Sequence, residues 1–311
     1  MIDVSIILVT YNHESYVKEA IDSILKQRVD FVYEIVFADD CSTDSTKEII
    51  KSYDSVIGNK QYLFSDVNRG NTKNVMNAYL HCNGRYIVTL EGDDYWYSDE
   101  KIFTQYHFLE NHEEYIGVSD KRFTIDQKNR RLLSYPLWVH ENRETSLEEF
   151  LKGKYFSGVE TMFRNIFLNK MVDESFIDLF KRDRMIGDLP LCVLLLSLGK
   201  VYILNKDFSV YRTSSSGNQN NYNSTLKLLD ISKNHIRILN RLSDYFGFDF
   251  SYIYAEYFLT GIIGGILSKN VREIIASYKL IKINYQRKVI LRCFRMFPKI
   301  LKIGLNKIKN K

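Results

Sequence analysis

Cysteine, proline and glycine are all scarce in this chain of 311 residues, at 4, 3 and 15 copies. The cysteines (Cys41, Cys82, Cys192 and Cys293) lie far apart with no C-x-x-C pair. That excludes a zinc ribbon, and a disulfide framework is not expected in a chain long enough to bury its own core. They read as reduced thiols of a cytoplasmic protein. So little proline and glycine excludes collagen-like and low-complexity linker architectures. No apolar run approaches the roughly 18–20 residues of a membrane span; the longest, 193–198 and 258–267, are core-helix sized. The N-terminus has no basic region and no small-residue cleavage site, so it reads as a first β-strand rather than a signal peptide. Two further absences bear on chemistry. Without a G-x-G-x-x-G or a G-K-[ST] loop, neither a Rossmann dinucleotide site nor a P-loop is expected.

What is present is ordinary globular composition, 45% hydrophobic and 26% charged. The net charge of +5 hides an asymmetry: residues 269–311 carry 13 Lys or Arg against one acid, Glu273. An acidic body with a basic tail points to an anionic partner surface. In the tail, Ile290, Phe294, Phe297, Leu301, Leu305 and Ile308 recur at helical steps, while Lys288, Arg292, Arg295, Lys299 and Lys302 fall on the other side. A helix so divided suits an anionic membrane interface better than nucleic acid. The alternative is that its apolar stripe packs on the body. Pro298 is expected to kink the helix or to end it near Phe297.

Along the first half, strand and helix patterns alternate. Strands are expected at 4–9, 34–38, 61–65 and 86–90, with helices at 15–27, 44–53 and 72–81 between them. Ser45 and Glu48 are spaced as a capping box, with Asp44 as a helix cap. Such βαβ alternation predicts an α/β fold with a mainly parallel central sheet flanked by helices. Farther on, a helix through Phe108 and Leu109 precedes β-like runs at 117–125 and 159–164. A helix at Leu189–Leu198 and strands at 201–204 and 208–211 complete the body. The Ser- and Asn-rich stretch 214–224 reads as a loop boundary, and nearly everything beyond it as helix.

Three polar clusters fall immediately after expected strands: Thr10-Tyr11-Asn12-His13-Glu14, Asp39-Asp40-Cys41-Ser42, and Glu91-Gly92-Asp93-Asp94. In open α/β sheets, ligands bind outside the carboxyl ends of parallel strands, so all three clusters should face one crevice. Carboxylates gathered there would repel each other without a cation. Hard oxygen ligands suit Mg2+ or Mn2+, which bridge to substrate phosphates. The six histidines do not form a metal site in this reading; His107 and His112, for instance, are poorly spaced for shared coordination.

The run V-S-I-I-L-V-T-Y-N, then E-I-V-F-A-D-D-C-S-T-D, N-R-G-N-T-K-N and Y-I-V-T-L-E-G-D-D-Y-W, resembles inverting glycosyltransferases of family 2, which have the GT-A fold. The resemblance is dense over residues 1–110 and thin to about 215. It implies a glycosyltransferase domain at 1–218, with a nucleotide-binding part at about 1–97 and an acceptor part at about 98–218. A helical C-terminal region at 219–311 follows. It implies that Thr10, Tyr11 and Glu14 border the nucleoside of a nucleotide-sugar donor and that Asp39 reads the base, a UDP-sugar being the first expectation. Asn68, Gly70 and Asn74 would lie beside the sugar, and Glu91, Asp93 and Asp94 would hold Mn2+ or Mg2+ on the diphosphate. Glu91 stands where many members have Asp, so Asp93 and Asp94 are the preferred ligands. Asp188, in Ile186-Gly187-Asp188-Leu189-Pro190, matches the catalytic base; the competing reading is a helix cap. Arg212 would contact phosphate or else form a structural ion pair. Trp96 is expected to pack in the core. The acceptor would be a saccharide or lipid-linked saccharide, met peripherally at the inner membrane face during surface polysaccharide synthesis. A non-catalytic nucleotide-sugar-binding module and a nucleotidyltransferase are the alternatives, although the latter's Gly-rich N-terminal loop is absent.

Overall fold

The apolar run that opens the chain is the middle of a sheet. The computed structural model describes residues 1–126, 128–181, 188–213 and 225–309. In chain order the first half contains β1 (Val4–Thr10), α1 (Val17–Leu25), β2 (Tyr33–Asp39), α2 (Thr46–Lys51), β3 (Lys60–Phe64), α3 (Asn71–His81) and β4 (Tyr86–Glu91). Next come β5 (Tyr95–Trp96), α4 (Lys101–Asn111), β6 (Tyr115–Ile125), β7 (Arg131–Tyr135), β8 (Arg143–Thr145) and α5 (Leu147–Leu151). β9 (Met162–Arg164), α6 (Glu174–Lys181), α7 (Leu189–Leu198) and β10 (Lys200–Arg212) follow. Four helices end the described chain: α8 (Thr225–Phe246), α9 (Ser251–Leu267), α10 (Val271–Leu280) and α11 (Ile283–Lys309).

The sheet order is β3-β2-β1-β4-β9-β6-β10-β5, with β7 beside β6 and β8 beside β10. Its first four strands are all parallel, as the βαβ alternation predicts. Every residue of β1 is buried, because helices cover both sheet faces and leave no solvent side to record as alternation. On one face, Val17, Ala20, Ile21 and Ile24 of α1 pack with Ile6, Leu8, Phe37 and Val88 in the core. Each such side chain contributes about 1.5–3 kcal/mol by leaving water. Trp96 lies in this core as expected, 4% exposed.

Beyond β4 the sheet is mixed. β9 runs antiparallel to both β4 and β6, while β10 runs parallel to β6. The two short strands expected at 201–204 and 208–211 are one strand, β10, whose register against β6 shifts between Ile203 and Ser209. The polar Asn205-Lys206-Asp207 stretch looks like a turn in sequence, but it is accommodated as an irregularity within the ladder. The run expected at 159–164 is a strand only from Met162, since residues 157–161 form a tight loop in which the Thr161 N–H donates to the Gly158 carbonyl. The exposed β7 carries no periodic signal and was not expected. α7 is apolar all round and buried along most of its length, which anchors the residue at its N-terminus.

The chain divides into two compact units: Met1–Phe150 with Lys154–Gln219, and Leu151–Gly153 with Asn220–Lys311. Within the second unit α11 does not end at Phe297 but runs through position 298. One proline removes a single backbone donor, and the turns on either side keep their own hydrogen bonds. The face of α11 that meets α9 carries Tyr285, Val289, Arg292 and Cys293, with Arg292 Nε donating to Ser251 Oγ at 2.9 Å. Ile290 and Phe294, 37% and 76% exposed, are therefore not the packing face. The side chains of Phe297, Leu301, Leu305 and Ile308 lie outside the described residues, as do Ile186, Gly187 and the stretch 214–224. No described helix is long and apolar enough to cross a membrane.

Candidate active site

Parallel strands put their carboxyl ends on one edge, and the register makes this concrete. Thr10 lies opposite Asp39, and Val9 opposite Glu91. Thr10 Oγ1 donates to Asp39 Oδ2 at 2.8 Å, tying β1 to β2. The same carboxylate accepts from the Ser42 N–H at 2.8 Å and from the Ser42 hydroxyl at 2.5 Å. Asp39 is fully buried, so its geometry is that of a brace between strand ends. Three donors leave acceptor capacity on the carboxylate, so bracing the strand ends and contacting a base are compatible. Asp40 is likewise occupied: it accepts the backbone N–H groups of Arg69 and Gly70 at 2.7 and 2.8 Å. That holds the turn before α3, where Gly70 has φ of +87°, a conformation open to glycine without strain.

Two more expected donor contacts have structural partners. Asn74 is buried, and its amide donates to the Ala38 carbonyl at 2.7 Å, pinning α3 to the end of β2. Glu14 is exposed and accepts the Ser45 N–H at 3.1 Å, while the Glu14 N–H donates to Asp44 at 3.1 Å. Asp44 also accepts the Thr46 N–H at 3.0 Å. Glu14 thus takes the part that Glu48 would play in a capping box, and Ser45 makes no side-chain cap. Asn68 is exposed and Tyr11 half-buried on this rim.

The acidic turn between β4 and β5 is assembled against β1. The Gly92 N–H donates to the Val9 carbonyl at 2.8 Å, and a Cβ at position 92 would lie 2.7 Å from Thr10 Cγ2 and 2.8 Å from His13 Nδ1. Only glycine allows the turn to sit so close. Carboxylate oxygens of Glu91, Asp93 and Asp94 all lie within 4.8 Å of one another. Burial, then the charge of Asp93, pushes Glu91 up to about 8, and the same causes raise Asp94 well above the carboxylate range. Three hard oxygen donors gathered so closely, two of them raised by burial and by a neighbouring charge, fit a divalent cation such as Mg2+ or Mn2+. Arg212 clamps this turn from β10. Its backbone N–H donates to Asp94 Oδ1 at 2.9 Å, Nη1 to the Asp93 carbonyl at 2.6 Å, and Nη2 pairs with Glu19 at 2.5 Å. Its guanidinium also faces the rings of Tyr16 and Tyr95. The structural ion pair expected of Arg212 is the one with Glu19.

Beside the acids is a cavity of about 200 Å³ whose lining includes Glu91, Arg122, Ser157 and Asp188. Asp188 sits at the N-cap of α7 without capping it. Instead its Oδ2 accepts the Gly158 N–H at 2.7 Å and the Ser157 hydroxyl at 3.1 Å. Thr89 and Arg122 also line the cavity, and Arg122 Nε is buried with no hydrogen-bond partner among the described residues. Sequence reasoning missed Arg122, Ser157 and Gly158. No local motif distinguishes them, since they reach the site only through the β6–β9–β10 half of the sheet.

The profile of Glycosyl transferase family 2 matches residues 5–172. The chain belongs to that family. TuaG of Bacillus subtilis, named as a putative teichuronic acid biosynthesis glycosyltransferase, is 31% identical over 106 residues, 34% of this chain and 41% of TuaG. An uncharacterized protein of Mycobacterium tuberculosis is 37% identical over 117 residues, 35% of this chain and 32% of that protein. The aligned region thus spans about a third to two fifths of these relatives. Among solved structures, residues 1–349 of Staphylococcus aureus TarS in complex with UDP-GlcNAc superpose with a TM-score of 0.57 at 19% identity. That match covers 97% of this chain and 92% of the TarS chain, a likeness of fold that extends through the C-terminal helices.

Proposed function

We propose that this family 2 chain transfers a sugar, with inversion, from a nucleotide diphosphate donor to a hydroxyl of a saccharide or lipid-linked acceptor in surface polysaccharide synthesis. The observation that carries the reading is the cavity that Asp188 and Glu91 both line, Glu91 being grouped with Asp93 and Asp94. The donor's nucleoside would lie along Thr10, Tyr11, Glu14 and Asp39, with its sugar in the cavity beside the turn at Asn68 and Gly70. Asp93 and Asp94, with Glu91, would hold Mn2+ or Mg2+, which neutralises charge on a diphosphate. Asp188 is the general base: with Oδ2 occupied by Ser157 and Gly158, Oδ1 takes the acceptor's proton. The acceptor oxygen then bonds to the anomeric carbon as the bond to the diphosphate breaks, and the departing oxygen keeps that electron pair. UDP is the proposed nucleotide, a choice supported by the UDP-GlcNAc complex of the structurally similar TarS.

The test is a thermal-shift screen of nucleotide sugars with and without Mn2+. A ligand at 100 times its dissociation constant stabilises by about 2.7 kcal/mol. A metal-dependent shift with a UDP-sugar is the expected result; no shift with any nucleotide sugar refutes the proposal. The acceptor is proposed to be met at an anionic membrane surface, through the exposed Leu291 and Phe294 and the cations of the tail. Removing residues 290–311 should release the protein from vesicles containing anionic lipid, and unaltered co-sedimentation would refute that part.

A further inference from the structure

The mechanism leaves unused a cation on the cavity wall. Arg122 of β6 donates from Nη1 to Glu160 Oε2 at 3.0 Å and to Ser157 Oγ at 3.3 Å. The Ser157 hydroxyl in turn donates to Asp188 Oδ2 at 3.1 Å. Since the guanidinium occupies one side of the Ser157 oxygen with a donor and pairs with Glu160, the other carboxylate in reach of this hydroxyl, the proton is left for Asp188. The guanidinium is held flat by the Tyr211 ring at 4.4 Å, with the Tyr135 ring at 5.4 Å.

The segment that carries Ser157, Gly158 and Glu160 is pinned from beneath. Lys101 Nζ and Gln105 Nε2 both donate to the Glu160 carbonyl, at 3.2 and 2.7 Å, and Thr161 Oγ1 donates to the Ser157 carbonyl at 2.7 Å. Lys101 is itself paired with Asp120, both side chains fully buried. The loop therefore has little freedom to follow a misplaced Asp188, and the carboxylate must follow the loop.

We infer that Arg122 is a positioning residue for sugar transfer, acting through the Ser157 hydroxyl to fix one oxygen of Asp188 and present the other to the acceptor. This rests on Asp188 being the base. Arg122→Lys keeps the charge, but both bonds come from Nη1, and an ammonium on a shorter stem does not reach the same point between Glu160 and Ser157. Turnover should fall roughly 10- to 100-fold, the scale of a small misplacement of a catalytic group. KM for the donor should stay within about twofold if its binding does not depend on the guanidinium.

The deciding measurement is a cycle of Arg122→Lys with Asp188→Asn. Action through Asp188 requires that Arg122→Lys change the residual rate of the Asp188→Asn protein less than about twofold. If it lowers that rate by the same factor as in the wild type, the inference is overturned while the base assignment stands. If Asp188→Asn alone turns over normally, the base assignment itself fails. Ser157→Ala, a smaller change, carries the same cycle should Arg122→Lys not fold, with the same two outcomes.

Discussion

Gly92 offers the sharpest test of how the acidic turn is built. Replacing it with alanine puts a methyl group 2.7 Å from Thr10 Cγ2, 2.8 Å from His13 Nδ1 and 3.1 Å from the Val9 carbonyl. None of these is the loose end of a flexible side chain. Thr10 is held by Asp39, and His13 is buried with its backbone N–H on Thr46. Overpacking of this kind costs about 1–3 kcal/mol. If the turn retreats, the bond from the Gly92 N–H to the Val9 carbonyl weakens as well, adding about 1 kcal/mol. A total near 3 kcal/mol should lower the unfolding temperature of the first unit by on the order of 10 °C. The retreat carries Glu91, Asp93 and Asp94 with it, so the Mn2+-dependent affinity for a UDP-sugar should weaken about tenfold for each 1.4 kcal/mol of binding energy lost. Gly58→Ala is the control, because a Cβ there meets nothing within 4 Å. Differential scanning fluorimetry reads both quantities. A Gly92→Ala protein with wild-type melting and a wild-type donor response would refute the account of this turn.

Asp188→Asn should lower transfer by about 10²–10⁴-fold, the usual contribution of a general base. Donor binding measured by thermal shift should remain, because an amide oxygen can still accept from Gly158 and Ser157. Glu34 accepts from Ser5 Oγ, the Asn83 N–H and Gln61 Nε2, at 2.6, 2.8 and 2.9 Å. Burial pushes this carboxyl up, but the Ser5, Asn83 and Gln61 donors outweigh it and hold it below its ordinary value. Its stabilisation is therefore complete above an unfolded value of about 4.3 and is lost as the pH falls through the lower folded one. Glu34→Gln should cost about 1–3 kcal/mol at pH 7 in urea unfolding, with the gap to wild type closing in acid; a gap independent of pH would contradict this. Lys101→Met leaves Asp120 without its buried partner and should cost about 3–5 kcal/mol. A loss below 1 kcal/mol in the same assay would show that the pair does not hold the site's floor.

The chain's local pattern determined the parallel half of the sheet and the three polar clusters at its edge. Residues 4–10 had to lie between other strands, since a run this apolar has no face to give to water, and an acid placed just after such a strand emerges at its carboxyl end. Pattern also placed the helix that begins at Leu189, with Asp188 at its mouth. Tertiary structure alone decided what each polar side chain does there. Asp39, Asn74 and Arg212 are expected beside the donor from sequence, and the fold adds to each a protein partner from a distant segment, Thr10, Ala38 and Asp93 respectively. Arg122, Ser157 and Gly158 have no local signature and converge on Asp188 only when β6, β9 and β10 close the second half of the sheet. The tail shows the same division: its helical repeat was legible, but Tyr285 and Val289, not the stripe through Ile290 and Phe294, meet α9. Periodicity records that a segment has a buried side, whereas the partner of a hydrogen bond or a packed face is set by segments tens of residues away, which no local pattern encodes.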